Sequence, residues 1–488
     1  MGWLGGFFER MSANLPLLSV SGRVWRSARL LDVPDPPHDN KYDQLHVLMS
    51  SATDIARQVR QILEESSDAP SLQHVIDTID NSVSEWAIPS SPQAKSLLAS
   101  LEDLYHQVLD HAVFHQVEAF LTVLYHLRIL IPVGSIVSTW FDLVLRPALR
   151  EPKLSTPAVG SAKKLVLIGL VTFDEENTSK TKDFRRRLLD LYLLDAHSES
   201  SGEDALEWAE LDKVARDKRE CWKSNLEDVL ITFGMKCPQV GTRQIAYPPS
   251  QFSSLSGKDL MSEVFRCFSS TSARLQLLIF LNNYSSHPEF PPHSKVLANN
   301  PLLDSLVLSL VLDQSSTACA VGLTLAGKLL PLLAVHAPNT LISRLPQFIS
   351  ILARVSSWDT RIPQNPIEDE ALTQPDVNQD LHWQPLILTF TFNLAAFAPE
   401  TDRYFSQLYY LFPWNLVKFA RNPVEYVEQS GFECPYTAGW TAVLNNAAIR
   451  TRIEVSSPAR GSELQYLNII SLGAFCEPRS SSNLLGRW

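Results

Sequence analysis

The residues best suited by type and spacing to do chemistry are two histidines four positions apart, His111 and His115, with Asp110 and Glu118 beside them. Two histidines one helical turn apart can bind zinc if further ligands join them. At about 100° per residue, however, both histidines and Glu118 fall on the side of the helix opposite its apolar stripe. Because no third strong ligand is in view, the sequence favours solvated side chains over a metal site.

Motifs of catalysis and of cofactor binding are absent from the sequence. It contains no G-x-S-x-G, no G-x-G-x-x-G, no Walker loop and no H-E-x-x-H. Its six cysteines include no C-x-x-C pair. We therefore expect no catalytic residue, no metal and no cofactor, and a protein that binds other molecules. The alternative from another class is an enzyme of unrecognised type built on helices.

Three consecutive arginines, Arg185, Arg186 and Arg187, form a basic run inside a predicted helix. A solvated helix face is the simpler interpretation, and a surface for an anionic partner is the alternative. The formal net charge of the chain is -11. Since nucleic-acid binders need a basic footprint, nucleic acid is not an expected partner.

Apolar residues recur at helical spacing along most of the chain. The clearest stripe has intervals of four and three: Val113, Val117, Phe120, Leu124 and Leu127. Further helices are predicted at 338–358 and 383–398, and the period-2 alternation of strands is nearly absent. So many helices with short breaks predict an all-α fold, and a HEAT/armadillo-like α-solenoid fits them better than one compact bundle.

Clusters of proline, glycine and serine divide this array. They predict six segments: an irregular N-terminal extension (1–40), the first half of the solenoid (41–237), a linker (238–257), the second half (258–455), an exposed loop inside that half (359–380) and an irregular tail (456–488).

The longest apolar stretch, 318–335, contains Lys328 and Pro331. A membrane span needs about 20 apolar residues, so we expect a buried core helix there. At the N-terminus Glu9 and Arg10 interrupt the apolar run, which does not fit a signal peptide. These features predict a soluble, cytoplasmic protein.

The segment 408–421 reads Leu-Tyr-Tyr-Leu-Phe-Pro-Trp-Asn-Leu-Val-Lys-Phe-Ala-Arg. It resembles a segment of the hamartin family, the scaffold subunit of the tuberous sclerosis complex, whose pattern is close to L-Y-x-x-[FY]-P-x-N-[FL]-V-x-F-x-R. Upstream, 345–358 resembles the family's helix ending in R-x-S-S-W, and 139–149 is similar to fungal members. The blocks keep their order, and the resemblance covers roughly 48–455.

The resemblance implies a helical solenoid without chemistry of its own. In that family a coiled coil follows the solenoid, binds tuberin and so supports GTPase activation toward Rheb, which restrains target-of-rapamycin signalling. Residues 1–488 contain no heptad-rich segment. We therefore expect a tuberin-like GTPase-activating subunit to bind mainly through a coiled coil absent from these residues, and an oligomer is compatible with this. The alternative is an unrelated HEAT-like adaptor, for example in trafficking.

Two basic residues of the matched segment, Lys418 and Arg421, lie three positions apart on one helix face. The resemblance implies contact with phosphoinositide-bearing lysosomal or vacuolar membranes, or with a partner; solvated helix charges are the alternative. Each cation near an anionic surface contributes about 1 kcal/mol, so two give roughly 2 kcal/mol, or about thirtyfold in affinity. Because that is too little alone, oligomer avidity or the run Arg185–Arg187 would have to add to it.

Overall fold

The computed structural model describes residues 40–86, 92–108, 113–170, 178–194, 212–235, 249–358, 377–386 and 398–456. The chain divides into two compact units, Met1–Ser50 and Ser51–Trp488. In the first unit the described residues, 40–50, are helical. The predicted irregular ends lie outside the described residues, except for Asn40 and Ser456, which belong to helices.

Helices build the part of the chain up to residue 235. They are α1 (Asn40–Leu63), α2 (Leu72–Trp86), α3 (Pro92–Val108), α4 (Phe114–His126), α5 (Val133–Ser135), α6 (Arg146–Arg150), α7 (Thr156–Leu170), α8 (Thr178–Tyr192) and α9 (Lys213–Met235). A 3-10 turn, Leu127–Ile129, follows α4. A π-helix, Ile136–Leu145, joins α5 to α6 without interruption.

Helices also dominate the described residues from 249 onward. They are α10 (Pro249–Phe268), α11 (Thr271–Ser286), α12 (Phe290–Ala298), α13 (Leu302–Leu312), α14 (Ser316–His336), α15 (Pro338–Ser343), α16 (Leu345–Ser356), α17 (Asp402–Leu411), α18 (Pro413–Arg421), α19 (Pro423–Gln429), α20 (Trp440–Val443) and α21 (Asn446–Ser456). A 3-10 turn spans Gln379–Leu381, and an isolated antiparallel bridge pairs Val377 with Tyr436. Within these described ranges no strand forms, which confirms the all-α prediction.

Most helices pack against helices close to them in sequence, as in a solenoid. In the first half α4 packs on α7, and α9 packs on α6 and α7. In the second half α14 packs on α11, α12 and α17, and α16 packs on α13, α19 and α21. The helices α9 and α10 pack together across the segment predicted as a linker. Residues 249–257 of that segment are helical, whereas 238–248 lie outside the described residues.

Proline opens many of these helices. At the first helical position its missing N–H has no intrahelical partner to lose, and its φ is already suitable. Prolines in the first two helical positions include Pro338, Pro346, Pro413 and Pro423. These prolines therefore begin helices. The helix predicted at 338–358 is two helices that meet at Arg344, and Pro249 opens α10.

The predicted apolar stripe of α4 is buried except at its beginning. Phe120, Leu124 and Leu127 are buried and Val117 is half-buried, whereas Val113 is 58% exposed. That part of the stripe prediction is wrong, because the helix begins at Phe114 and its N-cap residue projects from the end of the helix.

One helix of the described residues, α14, is long and apolar enough to cross a membrane, and the bent pair α12–α13 passes the same test together. In α14, 56% of the most apolar window is buried inside the structure. The ammonium of Lys328 donates to the carbonyl of Asn282, near the end of α11, at 3.1 Å. This packing agrees with the expectation of a core helix at this position.

Arg274 of α11 and Asp313, which follows α13, form an ion pair without exposed surface, with Nη1 and Oδ1 2.5 Å apart. Ser309 donates to the other carboxylate oxygen at 2.6 Å. The guanidinium also donates to the carbonyls of Phe268 and Ser269, where α10 ends, at 3.2 and 3.0 Å. One buried pair thus joins α10, α11 and the turn before α14.

The segment from Trp383 to Leu386, which has no regular secondary structure, contacts both members of this ion pair. The Trp383 ring lies 4.0 Å from the guanidinium carbon, and the carbonyl of Gln384 accepts from the same group at 3.1 Å. The N–H of Leu386 donates to the carboxylate at 3.0 Å. The prediction of a helix at 383–398 is therefore wrong at its beginning, because the buried charges offer the backbone partners that a helix would not use.

Removing one member of the buried pair should destabilise the protein strongly, because the other charge then stays buried alone. We expect Asp313→Ala to lower the free energy of unfolding by about 3–5 kcal/mol, and Arg274→Met with Asp313→Leu to recover much of that loss. Denaturant titration followed by circular dichroism measures both. The control, Asp190→Ala, removes the exposed pair with Arg266 and should change stability by about 1 kcal/mol or less. A loss in Asp313→Ala no larger than in this control would contradict the described pair.

Two helical glycines, Gly234 in α9 and Gly160 in α7, provide a test of the packing of α9 and its control. A Cβ at Gly234 would lie 2.5 Å from Leu260 and 2.7 Å from the ring of Tyr284, whereas at Gly160 of α7 nothing lies within 4 Å. Gly160→Ala should therefore stabilise the protein by about 0.5–1 kcal/mol, because alanine favours the helix. Gly234→Ala should destabilise it. If both variants melt above the wild type, α9 does not pack against α10 and α11 as described.

Candidate functional site

The helices α17 and α18 meet at a sharp corner. Phe412 leaves the helical region, with φ −136° and ψ 57°, and Pro413 opens α18. The N–H of Phe412 donates to the carbonyl of Leu408 at 2.7 Å and closes α17. The carbonyl of Phe412 accepts from the N–H of Leu416 at 3.1 Å and starts α18.

The inner side of this corner is an apolar stripe. Leu408, Leu416 and Phe419 are buried, and Phe412 is half-buried. The ring of Phe419 meets Tyr426 of α19 edge to face, with centroids 5.9 Å apart. These contacts fix the rotation of α18 about its axis.

The outer side of α18 carries Trp414, Lys418 and Arg421 at intervals of four and three. At about 100° per residue these three side chains fall within about 60° of one another. Trp414 is 58% exposed, and both cations are exposed. The two cations lie in the last turn of α18, where the helix dipole favours positive charge.

A third cation reaches the same place from α21. The exposed Arg450 donates from its guanidinium to the carbonyl oxygen of Arg421, at the end of α18. No ion pair between described residues involves Lys418 or Arg450. We call Trp414, Lys418, Arg421 and Arg450 the basic corner. Three cations beside an indole can bind oxygens of an anionic surface while the ring meets an apolar layer.

The sequence predicts only part of the basic corner, namely Lys418 and Arg421. Trp414 lies four positions before Lys418, so helical spacing alone places it on the same face. Arg450 gives no such signal, because 29 positions separate it from Arg421 and only the fold brings the two together.

The second predicted basic patch is paired with carboxylates of the same chain. Each arginine of the run pairs with a carboxylate on a neighbouring element: Arg185 with Asp259 at 2.5 Å, Arg186 with Glu263 at 3.2 Å and Arg187 with Asp142 at 2.5 Å. Burial lowers the pKa of Arg185, and the adjacent Asp259 opposes that shift. These charges hold α8 against α10 and the π-helix, so they leave little net charge for an anionic partner.

The two described members of the histidine and carboxylate cluster have different partners. His115 meets the carboxylate of Glu65, and Glu118 accepts from the N–H of Ser155 at 2.6 Å. The other two members, at 110 and 111, lie outside the described residues. Among the residues that the structure does describe, no group of three His, Cys, Asp or Glu could hold a metal ion.

No family model matches this sequence, and no curated protein matches it. Ten chains of solved structures do match. One is a structure of the TSC1 N-terminal domain, with 18% sequence identity and a TM-score of 0.56, covering 83% of this chain and 87% of that one. Another, of the TSC1 N-terminal and linker domains, has 19% identity and a TM-score of 0.54, with 87% of each chain covered.

These likenesses show the fold. The chain has the helical, solenoid-like fold of the TSC1 N-terminal domain, which is the N-terminal region of hamartin. The fold implied by the resemblance at 345–358 and 408–421 is thereby confirmed.

Charge reversal should separate cations that hold the fold from cations that face outward. Arg185→Glu should lower the free energy of unfolding by at least about 2 kcal/mol, because Arg185 is 16% exposed and Asp259 would lose its partner. Lys418→Glu should change stability by about 0.5 kcal/mol or less. Thermal unfolding followed by circular dichroism compares the two. Similar losses in both variants would show that Lys418 is structural.

Proposed function

We propose that this protein is a non-catalytic regulatory scaffold of the hamartin type. The observation that carries the proposal is the shared fold, which extends over 83% of the chain. The pattern of 408–421 supports it, because this segment forms a corner whose inner side is core and whose outer side is charged surface. In this role the protein serves a complex that supports GTPase activation toward Rheb and restrains target-of-rapamycin signalling.

The partner in this role is a tuberin-like GTPase-activating subunit. We propose that it binds mainly through a coiled coil outside residues 1–488, while the solenoid positions the complex. The site of action is cytoplasmic and peripheral on lysosomal or vacuolar membranes. An oligomer would multiply weak contacts of the solenoid with such a membrane.

The proposed membrane contact is made by Lys418 and Arg421. Both are exposed, both lie at the end of one helix, and they fall on one face of it. The net charge of -11 opposes long-range attraction to an anionic leaflet, so this contact acts only at short range. The neutralised arginines at 185–187 are poor candidates for additional charge, since each has a carboxylate partner.

The scaffold role is tested by assembly and by signalling. Loss of the protein should raise target-of-rapamycin output during starvation and slow GTP hydrolysis by a Rheb-type GTPase in extracts. Residues 1–488 alone should not retain the GTPase-activating subunit in a pull-down, whereas a product that includes a coiled coil should. Unchanged signalling after loss of the protein would contradict the proposal. Tight retention by residues 1–488 would show that the interface is misplaced.

The membrane contact is tested with vesicles that contain a phosphoinositide. Lys418→Glu with Arg421→Glu should lower co-sedimentation by at least about thirtyfold, since two cations contribute roughly 2 kcal/mol. The matched control reverses two exposed lysines elsewhere, Lys258→Glu with Lys295→Glu, and changes the net charge equally. Equal binding by the two double variants would mean that only net charge matters and that this site is wrong.

A further inference from the structure

The cations of the proposed membrane contact share their surface with a large aromatic side chain. Trp414 is 58% exposed on the same face of α18 as Lys418 and Arg421. Tyr410, in the last turn of α17, is 78% exposed. Single exposed apolar residues are ordinary in folded proteins, but an exposed indole on the same helix face as two cations gives this surface a distinct composition.

This composition fits the interface of a lipid bilayer. Tryptophan and tyrosine concentrate at the level of the lipid headgroups, where one part of the ring system meets apolar chains and a polar group meets water. Helices that lie in this zone combine such rings with lysine and arginine. Protein interfaces are also enriched in tryptophan, tyrosine and arginine, but they are depleted in lysine. Lys418 lies between Trp414 and Arg421 on the exposed face, which favours the membrane over a protein partner.

The positions of the cations agree with this assignment. Lys418 and Arg421 follow Trp414 by about one and two turns of α18, and Arg450 reaches the end of that helix from α21. An α18 lying flat on an anionic bilayer would therefore place its indole at one end of the contact and two guanidinium groups at the other. Phosphate oxygens are the natural acceptors for all three cations.

We propose that α18 lies along the surface of an anionic bilayer, with Trp414 inserted at the headgroup level and with Lys418, Arg421 and Arg450 on lipid phosphates. The inference rests on the proposed membrane function and extends it from two cations to three cations and an aromatic anchor. The third cation adds about fivefold in affinity, and burial of the indole adds on the order of tenfold.

Vesicle co-sedimentation of residues 1–488 tests the anchor. The vesicles contain phosphatidylcholine with phosphatidylserine and a phosphoinositide. Trp414→Ala should lower binding roughly tenfold and Arg450→Gln about fivefold. The matched control is Val335→Ala, which trims a side chain that is 74% exposed on α14, and it should bind as the wild type does. In high salt the wild type should keep residual binding that Trp414→Ala loses, because salt screens charges and not apolar contacts.

A fluorescence experiment locates the indole itself. The chain has 11 tryptophans, so the emission of Trp414 is isolated as the difference between the wild type and Trp414→Phe. Vesicles with lipids brominated close to the headgroup should quench this difference signal. Soluble inositol phosphates should displace Trp414→Ala from vesicles more readily than the wild type, since a free phosphate offers nothing to an indole.

The outcomes separate this inference from the function on which it rests. If reversal of Lys418 and Arg421 lowers vesicle binding but Trp414→Ala does not, the anchor is wrong and the membrane contact stands. If the wild type does not bind vesicles, both are wrong. If Trp414→Ala weakens assembly with the GTPase-activating subunit and leaves vesicle binding unchanged, the face is a protein interface and the inference is overturned.

Discussion

The ion pair of Arg274 and Asp313, which has no exposed surface, is the interaction on which the second half of the array depends. Two charges remain buried only if their geometry and hydrogen bonds compensate for the lost hydration. Here the bonds come from three separate segments: the end of α10, helix α13 and the segment from Trp383 to Leu386. The pair therefore sets the register of these segments and the start of α14, which begins three residues after Asp313.

A second buried arginine links the core to the helices that form the basic corner. Arg354 of α16 donates to the hydroxyl of Tyr436 at 3.0 Å and to the carbonyl of Val443 at 3.1 Å. The same hydroxyl donates to the carbonyl of Val311 in α13 at 2.9 Å. Because α21 follows directly on α20, these bonds position Arg450. On the other side α14 packs on α17, whose end opens into α18. Buried hydrogen bonds and helix packing thus fix the positions of α18 and α21, which carry the outer surface of the corner.

Patterns within a few residues predicted the helices and the exposed cations of α18. Contacts between residues far apart in sequence determined where a predicted helix fails and which cations are paired. Helical periodicity sufficed for the all-α fold and for the exposure of Lys418 and Arg421, because both depend on neighbours within two turns. It could not predict that Trp383 would stack on Arg274 instead of continuing a helix, since that contact joins residues 109 positions apart. The run Arg185–Arg187 appeared basic for the same reason: its carboxylate partners Asp259 and Glu263 lie more than 70 positions away.

The central claim is that a scaffold with the hamartin-type fold meets an anionic membrane through the end of α18 and the adjoining α21. Hydrogen–deuterium exchange of residues 1–488, with and without phosphoinositide vesicles, tests it most directly. The claim predicts slower exchange in peptides that cover Pro413–Arg421 and Asn446–Ser456, and unchanged exchange in α8, whose arginines are already paired. Protection of α8 without protection of the corner, or no protection anywhere, would contradict it.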